Sequence, residues 1–166
     1  MKKLIAAFAL TLAAVLAFAP TTAYANGNVT QDLEDVVAAL YEASTNADVE
    51  AIEDLISSSP HALFLGSDPD EVFIGRSDIV AWWEGLFAFF DSIGYPNDGG
   101  LPLSSNGTIA AGHKGNIGWI ADDGLFSFAN GDVPYRLTLV LRKEHGDWKI
   151  IQGHFSIGVP DETLPL

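Results

Sequence analysis

Residues 137–156 read LTLVLRKEHGDWKIIQGHFS, and this stretch decides the fold. Leu137, Leu139 and Leu141 alternate with Thr138, Val140 and Arg142, the period of two that sends successive side chains to opposite faces of a strand. Tyr135 extends the apolar series and Arg136 the other. His145, Gly146 and Asp147 supply turn chemistry, and an extended pattern resumes at Trp148. Two long strands across a short turn make an antiparallel hairpin. Working towards the N-terminus, the same signature recurs, so strands are expected near 101–113, 117–129, 133–144 and 148–159. Lys114-Gly115-Asn116 and Asn130-Gly131 make the intervening turns.

The first half has a different period. Leu33, Val36, Val37, Leu40 and Tyr41 fall at helical spacing over 31–44, with Asp32, Glu34 and Asp35 in the first turn, where the helix dipole favours anions. Asp48 is placed to cap a second helix through Ile56. His61 to Gly66 reads as a strand, Ser67 to Asp70 as a turn, and Glu71 to Ile74 as another short extended piece. Ser77 is the expected cap of a third helix over 78–92, whose broad surface of Ile79, Trp82, Trp83, Leu86, Phe87 and Phe90 requires burial on more than one side. Three helices followed by a meander of strands define an α+β domain with the helices on one face of an antiparallel sheet.

Three segments, FLGSDPDEVFIGRSDI at 64–79, LTLVLRK at 137–143 and GDWKIIQGHFS at 146–156, together resemble the SnoaL-like branch of the nuclear transport factor 2-like superfamily. The similarity spans about 33–158. It implies a cone: a strongly curved antiparallel sheet wrapping three N-terminal helices, with a pocket opening between them and often a homodimer. It does not imply one activity, because the superfamily holds isomerases, cyclases, dehydratases, epoxide hydrolases and plain binding domains.

Lys2 and Lys3, an apolar run from Leu4 to Phe18 and the tripeptide Ala23-Tyr24-Ala25 have the order of a secretory signal. The run is shorter than the roughly 20 residues that span a bilayer. Cleavage is expected after Ala25, leaving a SnoaL-like domain at 26–159, a tail at 160–166, no membrane span and a periplasmic or secreted location. The chain has 8 basic and 22 acidic residues and a formal charge of −14; two of the basic residues are in the signal, so the mature chain is more acidic still. Such a surface repels polyanions and argues against nucleic acid as a partner. The absence of cysteine removes thiol nucleophiles, thiolate metal sites and disulfides together.

Familiar catalytic signatures fail residue by residue. Ser156 would need glycine at 154 to stand on a nucleophile elbow, and His154 is there instead. Val72 and Phe73 interrupt the acidic run of Asp68, Asp70 and Glu71 where a calcium loop needs oxygen ligands and glycine. His61, His113, His145 and His154 have no metal-pair spacing. No cofactor or metal is expected. What the pattern offers is an aromatic-lined pocket for a small apolar or amphipathic molecule, with or without acid/base chemistry of isomerase, lyase or hydrolase type. The alternative is a non-catalytic dimerisation or protein-interaction domain.

The site residues expected for the pocket follow from strand period. Continued through the last strand, it puts Trp148, Ile150, Gln152, His154 and Ser156 on one face, apolar at first and then polar. His154 is the candidate base or acid, since imidazole titrates near neutral pH. The competing reading gives it a hydrogen bond at a dimer interface. Arg136 on the neighbouring strand and Asp68 or Glu71 at the rim supply counter-charge, and Trp119 a stacking wall. Adjacent Trp82 and Trp83 cannot point the same way from one helix, so one of them, Trp83, is assigned to the pocket.

Overall fold

The computed structural model describes residues 27–158; the expected signal at 1–25 and the tail at 160–166 lie outside the described residues. Helix α1 (Gly27–Thr45) buries Leu33, Val37, Leu40 and Tyr41, the stripe expected from the sequence. Helix α2 (Val49–Leu55) is capped by Asp48, whose carboxylate accepts from the Ala51 N–H at 3.0 Å. Strands β1 (Leu63–Leu65) and β2 (Val72–Ile74) pair as a small hairpin. Helix α3 (Arg76–Ser92) starts earlier than expected, with Gly75 rather than Ser77 at its cap. Gly75 has φ 88°, a conformation that turns the chain straight from β2 into the helix and that few residues other than glycine adopt.

After a tight turn at 96–99 come the four long strands β3 (Leu103–Lys114), β4 (Ile117–Phe128), β5 (Gly131–Glu144) and β6 (Asp147–Ser156). His145 and Gly146, with φ 53° and 108°, make the two-residue turn between β5 and β6. The sheet order is β2-β1-β6-β5-β4-β3. The long strands are antiparallel neighbours as expected, but β1 runs parallel to β6, with Phe64 opposite Gly153, so the sheet is mixed. The chain reaches β1 through α2, after the Ser57 N–H has already bonded the Ile150 carbonyl at 2.9 Å. That docking fixes the direction in which β1 leaves.

Inside the curve, Leu137, Leu139 and Leu141 of β5 join Ile120, Ile150 and Leu33 in the core. An added methyl at Gly118 would lie 2.8 Å from Leu33 Cδ2, so glycine lets α1 settle onto β4. The sheet bends at irregularities in β3, between Ser105 and Gly107 and between Thr108 and Ala110, and at one in β6. The bulge in β6 bears on function. Leu141 pairs with Ile150 but Val140 with Gln152, leaving Ile151 as the extra residue. Trp148 and Ile150 are buried before it, Gly153 and the half-buried Phe155 face the core after it, and Gln152 and His154 are exposed.

Candidate functional site

The open end of the curved sheet holds a cavity of about 350 Å³. Helix α3 contributes Trp82, Trp83, Leu86 and Phe90 to its wall; the sheet contributes Phe126 and Phe128 of β4, Val133 and Tyr135 of β5, and Phe155 of β6. Trp82 and Trp83 lie 5.0 Å apart, ring centre to ring centre, and Phe155 sits 6.2 and 6.0 Å from them. At the other end Phe90 meets Phe126 edge-on at 5.8 Å. This is the aromatic, apolar lining that small-molecule sites use, at the lower end of their usual range of about 300–1,000 Å³.

Few polar groups face this cavity. Among the described residues Glu71 is the one carboxylate in its lining, and no Lys, Arg or His lines it. The side chain is held in place by neutral donors: Trp82 Nε1–H donates to Oε1 at 3.3 Å, and the Asp68 N–H donates to Oε2 at 3.0 Å. The turn from β1 to β2 closes around it, with Gly66 N–H on the Glu71 carbonyl at 2.9 Å. A methyl group on Gly66 would lie 2.6 Å from Glu71 Cδ and 2.7 Å from its Cβ, so the absent side chain at 66 is what admits the carboxylate. Two further groups, Trp83 Nε1 and Tyr135 Oη, are buried with no hydrogen-bond partner. Both belong to lining residues. Buried donors without partners are uncommon in native proteins; Tyr135 Oη is turned away from the opening, towards Gly124 and the Tyr41 and Asp122 side chains.

Behind the lining lies a second polar group. Asp122, 1% exposed, accepts from Tyr41 Oη at 2.9 Å and from Ser105 Oγ at 2.8 Å. Tyr41 and Tyr135 stand edge to face at 6.3 Å. Burial, reinforced by Tyr135 and Asp122, pushes the Tyr41 phenol far above its ordinary value, and burial with Asp122 does the same to Tyr135. Both phenols therefore keep their protons at any physiological pH and act as donors. The donor set does not suit a metal: the cavity offers one carboxylate where zinc takes three or four protein ligands.

The residues expected at the pocket divide between the two faces of the sheet. Glu71 and Trp83 line the cavity. Trp82 lines it too, so the expectation that only one of the pair would do so is corrected: the tilt of 55° between the rings lets adjacent helical residues share one wall. Asp68 is exposed in the turn, and its contribution is its backbone N–H. His154, Trp119 and Arg136 are on the outer, convex face. Cross-strand pairing sets His154 beside Thr138 and Ala121 in one row, and Trp119 beside Gly112 and Val140 in the next. Arg136 pairs with Asp123 and Ser156 and borders a separate recess of about 210 Å³ with Asp123 and Pro134. The bulge at Ile151 is the physical reason for His154, since one extra residue inverts every face assignment after it. Phe126, Phe128, Tyr135 and Phe155 line the cavity without having been singled out from sequence. Only the alternation of Phe126 and Phe128 at the end of β4 signalled a shared face.

A bent mixed sheet around helices, with a cavity at its open end, is the arrangement of nuclear transport factor 2-like proteins, and solved structures of that class superimpose on this chain. An NTF2-like protein of unknown function from Pseudomonas putida matches with a TM-score of 0.68 at 14% identity, covering 84% of this chain and 93% of that one. An NTF2-like superfamily protein from Salmonella enterica matches with a TM-score of 0.64 at 19% identity, covering 81% and 94%. A candidate ketosteroid isomerase from Parabacteroides distasonis matches with a TM-score of 0.61 at 17% identity, covering 83% and 94%. No curated protein matches the chain. The model of the SnoaL-like domain family matches residues 33–160, and the chain belongs to that family.

Proposed function

We propose that this is an exported SnoaL-like domain that binds a small, largely apolar or amphipathic molecule in the cavity between α3 and the sheet. The observation that carries the reading is the lining: twelve of its fourteen residues are apolar or aromatic, the exceptions being Ser67 and Glu71. A domain built only for assembly has no use for an open aromatic cavity with a single carboxylate at its rim. Any proton transfer in the cavity falls to Glu71, the one group among the described lining residues able to accept a proton, and not to His154 on the opposite face. The test is titration of the purified protein with a panel of hydrophobic ligands while Trp82 and Trp83 fluorescence is followed. Saturable quenching or a spectral shift, abolished when Leu86→Trp fills the cavity, supports the reading. The absence of any response across the panel overturns it.

The same domain is proposed to form a homodimer through the convex face, where Trp119 is 45% exposed beside the half-buried Val140. An exposed aromatic on an open sheet face is the apolar surface that marks an interaction site, and a two-fold interface sets the same patch of both copies together. Trp119→Arg converts a dimer to a monomer by light scattering if this is right; a monomeric parent protein at micromolar concentration contradicts it. Export predicts a mature N-terminus at Asn26, read by terminal sequencing of secreted or periplasmic material.

A further inference from the structure

Glu71 is a carboxylate in an aromatic wall with no cationic partner among the described residues. Its donors, Trp82 Nε1–H and the Asp68 N–H, are neutral. Among the described residues the one ion pair is Arg142–Glu144, on another part of the sheet. A charge set against apolar surface ordinarily carries a counter-ion. Beside it, Trp82, Trp83 and Phe155 form a corner of three rings within 6.2 Å of one another. Aromatic faces attract cations through their quadrupole, tryptophan most strongly, when the charge lies within about 6 Å of the ring. The chain as a whole has a formal charge of −14, and Asp68 and Asp70 occupy the same turn as Glu71. That field raises the local concentration of cations and lowers that of anions.

Resting on the ligand-binding reading above, we propose that the molecule taken by the cavity is a cation: an amphipathic amine or quaternary ammonium. Its nitrogen sits between the Glu71 carboxylate and the partly exposed Trp82 and Phe155 rings, and its apolar body runs towards Phe90 and Phe126. Glu71 is then a charge anchor, held in place by Trp82, by the turn, and by the missing side chain at Gly66. That role needs no turnover.

The experiment compares three probes of one length, 4-phenylbutylamine, 4-phenylbutanol and 4-phenylbutyrate, by tryptophan fluorescence and calorimetry. Each is measured at low and high salt on the parent protein and on Glu71→Gln, with thermal unfolding as the check that the variant folds. A charge-assisted contact predicts that the amine binds about 10- to 100-fold more tightly than the alcohol, with the carboxylate weakest. In Glu71→Gln the advantage of the amine over the alcohol falls to within about threefold. If the alcohol binds as well as the amine, or the carboxylate better, the cation assignment is overturned and the pocket reading stands. If the advantage of the amine survives Glu71→Gln and vanishes in high salt, the attraction belongs to the acidic surface and the assignment to this site is overturned. If none of the three binds, the pocket reading falls as well.

Discussion

Replacing Gly66 by alanine adds one methyl group at a place where the structure leaves no room for it. That methyl would stand 2.6 Å from Glu71 Cδ and 2.7 Å from its Cβ, whereas carbon atoms pack at about 3.5–4.0 Å. The Glu71 side chain must therefore withdraw by about an ångström, and its bonds from Trp82 Nε1 and the Asp68 N–H break. Hydrogen bonds to charged groups contribute about 1.5–3 kcal/mol each when well made. One of these bonds is exposed and the other part-buried and long, so the pair together contributes about 1.5–2.5 kcal/mol. Alanine restricts the unfolded chain and returns about 0.4–1 kcal/mol. The net cost is about 0.5–2 kcal/mol, a drop of several degrees in Tm for a domain of this size. Gly85→Ala is the matched control. Nothing lies within 4 Å of a methyl there, and the residue is exposed inside α3, so the same chemical change stabilises by about 0.5–1 kcal/mol. Thermal unfolding followed by circular dichroism reads both, and ligand titration of Gly66→Ala reads the displaced carboxylate. Equal Tm values for the two variants, or undiminished binding of 4-phenylbutylamine to Gly66→Ala, would refute the reasoning.

Three further outcomes are expected. His154→Ala leaves ligand titration unchanged, whereas Phe155→Ala, one residue on, weakens it and destabilises the fold by about 1.5–3 kcal/mol, since Phe155 is half-buried and full burial costs about 3–5; the opposite order would move the bulge from Ile151. Asp122→Ala strands the buried Tyr41 hydroxyl and costs about 1–3 kcal/mol in denaturant unfolding, with Asp122→Asn costing less because an acceptor remains; a gain in stability would show the carboxylate to be a net burden. Glu144 is held below the ordinary glutamate range by the Ser57 hydroxyl and the Arg142 guanidinium. A depressed folded value means that stability is present above the unfolded pKa and lost as pH falls through the folded one. The Tm difference between the parent and Glu144→Gln is therefore full at neutral pH, shrinks below about pH 4 and vanishes in stronger acid; a difference that grows on acidification contradicts the assignment.

Much of the fold is visible in the sequence because its signals are local. The alternation of Tyr135, Leu137, Leu139 and Leu141 emerges as the buried face of β5, and the turns at Gly115, Gly131 and His145-Gly146 fall where turn chemistry put them. Asp48 caps α2 as expected. The site is less visible because it depends on non-local register. Nothing in Ile150-Ile151-Gln152 marks Ile151 as a bulge, and that one residue carries His154 from the inner face to the outer. Arg136 and Glu71, both expected at the pocket, prove to belong to opposite faces. Glu71 was legible as a rim carboxylate because the turn around it is local; its fit against Gly66 required the tertiary structure. The parallel pairing of β1 with β6 was equally hidden, since it joins segments some ninety residues apart.

On the proposed reading, the working surface of this domain is the aromatic cavity on the concave side of the sheet. A crystal structure of the protein with the tightest binder of the three phenylbutyl probes tests it most directly. Ligand density is expected between Trp82, Trp83, Phe90 and Phe126, with one end within hydrogen-bonding distance of Glu71. Ligand density on the convex face near Trp119 and His154, with the concave cavity collapsed onto its own side chains, would contradict it.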